Sequence, residues 1–167
     1  MLFRSYGLSF TPGTWVESIQ ITKGAGSVAN GFESISGQIN TELIKPMKDI
    51  PFFVNVYGSS DSRFELNTHF NKQIGAHWAT SLFVHGNTRV TKMDTNNDGF
   101  LDNPLAKQIN VLSRWQYANP DTGWVSFLNF KTMQDQKQTG ELHFNPKTDK
   151  LTNNFWGSEV KDRTSVV

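Results

Sequence analysis

Cysteine is absent from all 167 residues, which removes disulfide scaffolds, thiolate zinc sites and cysteine nucleophiles together. No excess of charge exists either: 16 Lys plus Arg face 15 Asp plus Glu, and a net charge of +1 gives no ground for a nucleic-acid surface. No run approaches the roughly 18 apolar residues of a transmembrane helix. The opening MLFRSYGLSF lacks the apolar core and small-residue cleavage site of a secretory signal. The chemistry of catalysis is missing as well. There is no nucleophile elbow and no HExxH pair, and Glu17, Glu33, Glu42 and Glu65 form no local acid–base arrangement, so the chain reads as a non-enzyme. The segment GAGSVANG has no Gly-Lys-Ser/Thr ending, and Ala29 stands where a GxGxxG loop needs its third glycine, which argues against a phosphate cradle.

What the chain does have is aromatic side chains, 13% of all residues, dispersed among polar ones in a sequence that is 37% hydrophobic and 19% charged. Dispersed hydrophobicity favours strands over buried helices. After the turn residues Thr11, Pro12 and Gly13, positions 15–23 read as a short strand, and positions 36–45 as a second one closed by Pro46. The stretch PMKDIP, 46–51, is the best boundary in the chain, dividing a glycine-rich part (1–46) from a strand-rich part (47–167).

Beyond it the period becomes two. Phe52, Val54 and Val56 alternate with Phe53, Asn55 and Tyr57; Phe64, Leu66, Thr68 and Phe70 alternate with Arg63, Glu65, Asn67 and His69. Trp78, Thr80, Leu82 and Val84 then alternate with Ala79, Ser81, Phe83 and His85, and Ile109, Val111, Ser113, Trp115 and Tyr117 with Gln108, Asn110, Leu112, Arg114 and Gln116. A fifth run over 124–132 is ambiguous, because Val125 and Phe127 are apolar as well as Leu128 and Phe130. Residues 135–167 carry no diagnostic pattern.

The connections discriminate further. Tight turns at Gly75-Ala76 and at 119–123 alternate with a polar link of about 20 residues between the third and fourth runs, long for a hairpin. Short turns on one side, long loops on the other and aromatic residues near the turns (Trp78, Trp115, Tyr117, Trp124) are what transmembrane β-barrels show. A soluble β-sandwich shares the alternation, so pattern alone leaves both open.

The segment VESIQITKGAGSVANGFESISGQINTELIKP, 16–46, resembles the end of the plug domain of TonB-dependent outer-membrane receptors. Glu17, Ile19, Lys23, Gly24, Ser27, Gly31, Ile35, Gly37, Ile39 and Asn40 carry the resemblance, with departures at Asn30, Phe32 and Gln38. It implies a mainly β chain: the C-terminal part of a plug, then antiparallel transmembrane-type strands of an incomplete barrel, since such receptors close with about 22 strands. It also implies a fragment of a longer outer-membrane protein that takes up a scarce extracellular substrate, of siderophore, cobalamin, metal or glycan class, with energy relayed by the periplasmic TonB protein. On that reading Leu66 and Leu82 face lipid, and Asn67 and Ser81 face the lumen, where Arg at position 67 should be tolerated better than Arg at position 66. The other reading is a soluble, calcium-assisted β-sandwich that binds carbohydrate.

One local motif suggests a metal. Asp94, Asn96, Asp98 and Asp102 place oxygens at the spacing of a calcium loop, with Gly99 to allow the turn, although Leu105 stands where a bidentate Glu would close an EF-hand. A solvated turn whose carboxylates cap backbone amides is the plainer reading. His69, His77 and His85 share the polar face but fall at different heights, with His69 expected opposite about residue 82, so they read as lumen-facing polar residues.

Overall fold

The computed structural model describes residues 10–24, 37–150 and 156–167. The described residues are mainly β and entirely antiparallel, with a short 3₁₀ turn at Gly13–Trp15. Strand β1 (Val16–Lys23) pairs with β2 (Gly37–Leu43) as a two-stranded ribbon. The remaining strands are β3 (Phe52–Gly58), β4 (Arg63–Ile74), β5 (Trp78–Arg89), β6 (Leu105–Asn119), β7 (Trp124–Gly140) and β8 (Gly157–Val166). They form one six-stranded meander in sequence order. The sheet does not close on itself: β3 and β8 are its two edges. The turns at 46–51 separate ribbon from sheet.

All five expected runs are strands, and most are longer than the alternation revealed. β4 continues to Ile74, β5 to Arg89 and β7 to Gly140, and β8 adds a sixth strand within the stretch that carried no pattern. The first hairpin is offset by one residue from expectation. Its loop holds three residues, with Gly75 at φ +69°, so Ile74 pairs with Trp78 and His69 lies opposite Phe83. On β7 the ambiguity resolves in favour of Leu128 and Phe130 on one face, with Phe127 on the other, against the guanidinium of Arg114 at 4.5 Å.

The two faces of the sheet differ in an unusual way. One is covered and polar: Asn67, His69, Ser81, His85, Gln108, Asn110, Arg114, Gln116 and Asp135 are all buried. The other is bare and apolar, with Val54, Leu66, Phe70, Leu82, Ile109, Leu128 and Phe130 exposed. The N-terminal segment supplies the cover. Trp15, 1% exposed, packs on Phe83 and Leu112 together with Leu43 and Ile44, its ring 5.6 Å from that of Phe83. Arg114 Nη1 donates to the carbonyls of Leu43 (3.0 Å) and Ile44 (3.2 Å), and Lys131 Nζ donates to the carbonyl of Phe10 (3.0 Å). A sheet-borne cation thus takes up chain carbonyls that ladder pairing leaves free, as buried backbone requires.

Candidate functional site

Register builds the covered face in rows. One row runs Asn55, Asn67, His85, Asn110 across β3 to β6; the next runs Tyr57, Glu65, Asn87, Gln108, Asp135. Each residue reaches its row because alternate side chains of a strand share a face. Asn67 Nδ2 donates to Asn55 Oδ1 (3.3 Å) and Glu65 Oε1 (3.0 Å). His85 Nδ1 lies 2.6 Å from Asn67 Oδ1, and its Nε2 3.1 Å from Gln108 Oε1. Asn87 donates to the same Gln108 oxygen at 3.0 Å.

Above these rows opens a cleft of about 460 Å³, walled by Arg63, Glu65, His85, Arg89, Asp135 and Lys137 and by Thr11, Pro12 and Gly13 of the N-terminal segment. Its charges pair off locally: Arg63 with Glu65 at 2.6 Å, Arg89 with Asp61 at 2.5 Å, Lys137 with Asp135 at 3.0 Å. Balanced pairs leave no strong net field. What remains for a ligand is hydrogen bonding, and buried polar atoms without partners on its lining residues mark where it is strongest: Asp135 Oδ1 and Arg89 Nε. Such atoms are costly to bury dry. The cleft therefore suits water or a small polar ligand offering both donors and acceptors.

A second polar group anchors the 46–51 turn. Asp49 Oδ2 accepts from Asn71 Nδ2 (2.9 Å) and approaches His69 Nε2 to 2.6 Å, off the line of the ring N–H. His69 is stacked on Phe53, 4.9 Å between centroids. His77, in the first hairpin turn, sits 3.2 Å from the carbonyl of Ala118.

The bare face carries an apolar band that thins toward β8. Outward apolar residues reach up to Phe64 on β4, to Ile109 on β6 with Leu105 beyond Lys107, and only to Phe130 on β7, and the outward residues of β8 are Glu159, Lys161, Arg163 and Ser165. At the lower border Trp78, Trp115, Tyr117 and Trp124 gather near the short turns, with Trp78 and Tyr117 in ring contact at 5.1 Å.

The residues singled out in the ribbon are brought together only in part. Lys23 ends β1 opposite Gly37, which opens β2, while Ile39 pairs with Ile21 and Asn40 with Gln20. Gly24 has φ +82°, and at Gly37 a Cβ would meet the carbonyl oxygen of Thr22 at 2.8 Å, so glycine is required there. Gly31 lies outside the described residues. Lys45, bonded to Glu42 and 3.8 Å from Glu17, holds the Glu42 carboxyl below its usual range.

The 94–102 loop is an Asx-rich turn. Asp94 accepts from the backbone N–H of Asp98 (3.1 Å) and Gly99 (2.9 Å), Asp98 from the N–H of Phe100 (2.8 Å) and from Asn96 Nδ2 (3.0 Å). Asp102 Oδ2 accepts from the N–H (2.8 Å) and hydroxyl (2.5 Å) of Thr95, and these bonds hold its carboxyl below the usual range. Asp94, Asn96 and Asp98 share one turn, whereas Asp102 is turned toward Thr95. Among the described residues no three His, Asp or Glu side chains converge as a metal cage.

Two features escaped the sequence. Asp135 and Lys137, which close the cleft, lie in the stretch that showed no pattern. Asn67, expected to tolerate arginine better than Leu66 does, is 1% exposed and fully engaged. Polar and roomy are different properties of a face, and this polar face leaves no room at Asn67. No protein-family model matches the chain, and no curated protein or solved structure matches it with significant similarity.

Proposed function

We propose that this chain is a wall section of an outer-membrane receptor, with the end of its plug folded onto the inner face, and that the parent imports a scarce extracellular substrate with energy relayed by TonB. The observation that carries the reading is the inverted burial of the six-stranded sheet. A soluble sandwich packs its apolar face on a second sheet, whereas here the ribbon and Trp15 cover the polar face and the apolar one stays bare. The stretch 64–74 of β4, at about 3.3 Å per residue and the roughly 40° tilt of barrel strands, spans about 25 Å, the height of a lipid-facing band. The cleft beneath the long loops is where a small polar substrate would rest.

Because the chain has no cysteine, single-cysteine variants have no background. Introduced at positions 75 and 98 and treated with a membrane-impermeant maleimide in intact cells, Asp98→Cys should label and Gly75→Cys should not. Labelling at 75 alone would invert the topology, and equal labelling at both would sink the membrane reading.

We extend the proposal to a weak calcium role for Asp94, Asn96, Asp98 and Asp102. A cation there competes with the loop's own amides for carboxylate oxygens, which sets the expected affinity in the range of about 10⁻⁴ to 10⁻³ M. Calorimetry should detect binding that Asp98→Ala and Asp94→Ala remove. Heats unchanged by both variants would leave the residues as a self-capped turn.

A further inference from the structure

Outside the cleft, and on the opposite face of the sheet, a second polar surface borders the apolar band. Lys107 of β6, Gln136 of β7 and Lys161 of β8 form one outward row, and Ile109, Gln134 and Arg163 the row below it. Strands spaced about 4.8 Å apart put Lys107 roughly 10 Å from Lys161, and Arg163 follows two positions along β8, about 7 Å away. Lys147, in the connection 141–156, lies within electrostatic range of Glu159. Glu159 is the carboxylate of this patch, held by Lys161 at 2.8 Å and Gln136 at 2.7 Å. Among the described residues no ion pair engages Lys107 or Arg163, and both are exposed.

We propose that Lys107, Lys161, Arg163 and Lys147 form a docking site for the phosphate groups of membrane lipids. The proposal rests on the membrane reading above and adds a ligand chemistry to it. On the sheet itself three outward cations, Lys107, Lys161 and Arg163, face one outward carboxylate, Glu159, which leaves the patch positive in a chain whose overall charge is only +1. Its place is specific too. Lys107 lies between the apolar Ile109 and Leu105 on β6, and Lys161 and Arg163 lie beside the polar end of β7, so the cations adjoin the edge of the apolar band, where lipid headgroups would lie. The outward amides of Gln134 and Gln136 lie between the cations and can donate to phosphate oxygens that the cations attract. On the lower side, aromatic residues mark the band's border instead, so the two borders are chemically unlike.

The test uses the full chain folded into phosphatidylcholine vesicles, with a bimane fluorophore on an Ile109→Cys variant, beside Lys107 and Arg163, quenched by brominated phosphatidic acid or brominated phosphatidylcholine to give the relative binding of each lipid at the site. Phosphatidic acid should be preferred about tenfold at low salt. The preference should fall about fivefold for each of Lys107→Gln and Arg163→Gln and vanish in the variant carrying both with Lys161→Gln. Lys72→Gln, which removes an outward charge from within the band, should leave it unchanged. Equal quenching by the two lipids, or a preference that survives the triple variant, would overturn the proposal while leaving the membrane reading intact. Quenching by neither lipid would mean that the chain does not insert, and both would fail. Loss of the preference in millimolar inorganic phosphate at constant ionic strength would assign the site to free phosphate and overturn the lipid source.

Discussion

Neighbouring residues on one strand summarise the contrast between the two faces of the sheet: Ser81 is 0% exposed and Leu82 is 42% exposed. Soluble sheets place the apolar residue inside because water drives it there. Here serine is inside because the N-terminal segment packs on that face, and leucine is outside because nothing among the described residues covers it. Burial and hydrophobicity are thus separable, and their disagreement over a whole sheet is what the proposed membrane reading rests on.

The comparison breaks most readily at the contact that creates it. Trp15→Ala should cost about 3–5 kcal/mol, since it empties the small apolar core under the cover. Trp124→Ala, at a position 66% exposed, should shift the unfolding midpoint in detergent by the equivalent of about 0.5 kcal/mol or less. Similar costs at both positions would mean that the cover contributes nothing particular. Next in size comes the solvent of the bare face. In a bilayer Leu82→Arg should lose about 2–4 kcal/mol, while Asn55→Arg, exposed on the polar side at the sheet edge, should change stability by less than about 1 kcal/mol. Equal penalties, measured by reversible unfolding from vesicles, would remove the distinction between the faces.

The smallest expected effect concerns the long loop. Thr95 holds Asp102 below its ordinary value of 3.8 through two hydrogen bonds. A carboxyl whose folded pKa is depressed contributes stability that is complete above its unfolded value and is lost as pH falls through the folded one. Proteolysis within 94–102 should therefore stay slow at neutral pH and accelerate only as pH falls below about 3.8, read with an acid-active protease. Thr95→Val, which keeps the backbone donor and loses the hydroxyl, should make that acceleration smaller, because less of the depression is left to lose. An acceleration of unchanged size would show that the hydroxyl bond does not hold the loop.

The strands that could be read were those crossing the apolar band. There, outward Leu66, Leu82 and Ile109 alternate with inward Asn67, Ser81 and Asn110, and the period of two is visible. Above the band both faces are polar. Gln134, Gln136 and Gln138 point outward from β7 while Asp135 and Lys137 point inward, so the strand continues without any hydrophobic period to reveal it, and β8 was hidden for the same reason. The cleft was illegible on similar grounds: its walls come from β4, β5, β6 and β7, and only register sets Glu65, Asn87, Gln108 and Asp135 in one row. The Asx-rich loop was legible as a turn because Asp, Asn and Gly act locally; which oxygens cap which amides depended on the folded path of the chain.

By itself the sequence determined that this is a strand protein with two unlike faces, since alternation at period two follows from backbone geometry alone. It could not determine which face is covered. A period has no sign, and nothing local in β4 to β7 says whether the apolar or the polar side meets the rest of the chain. That was decided by tertiary packing: Trp15, Leu43 and Ile44 found Phe83 and Leu112 on the polar side, and Arg114 secured the carbonyls beside them.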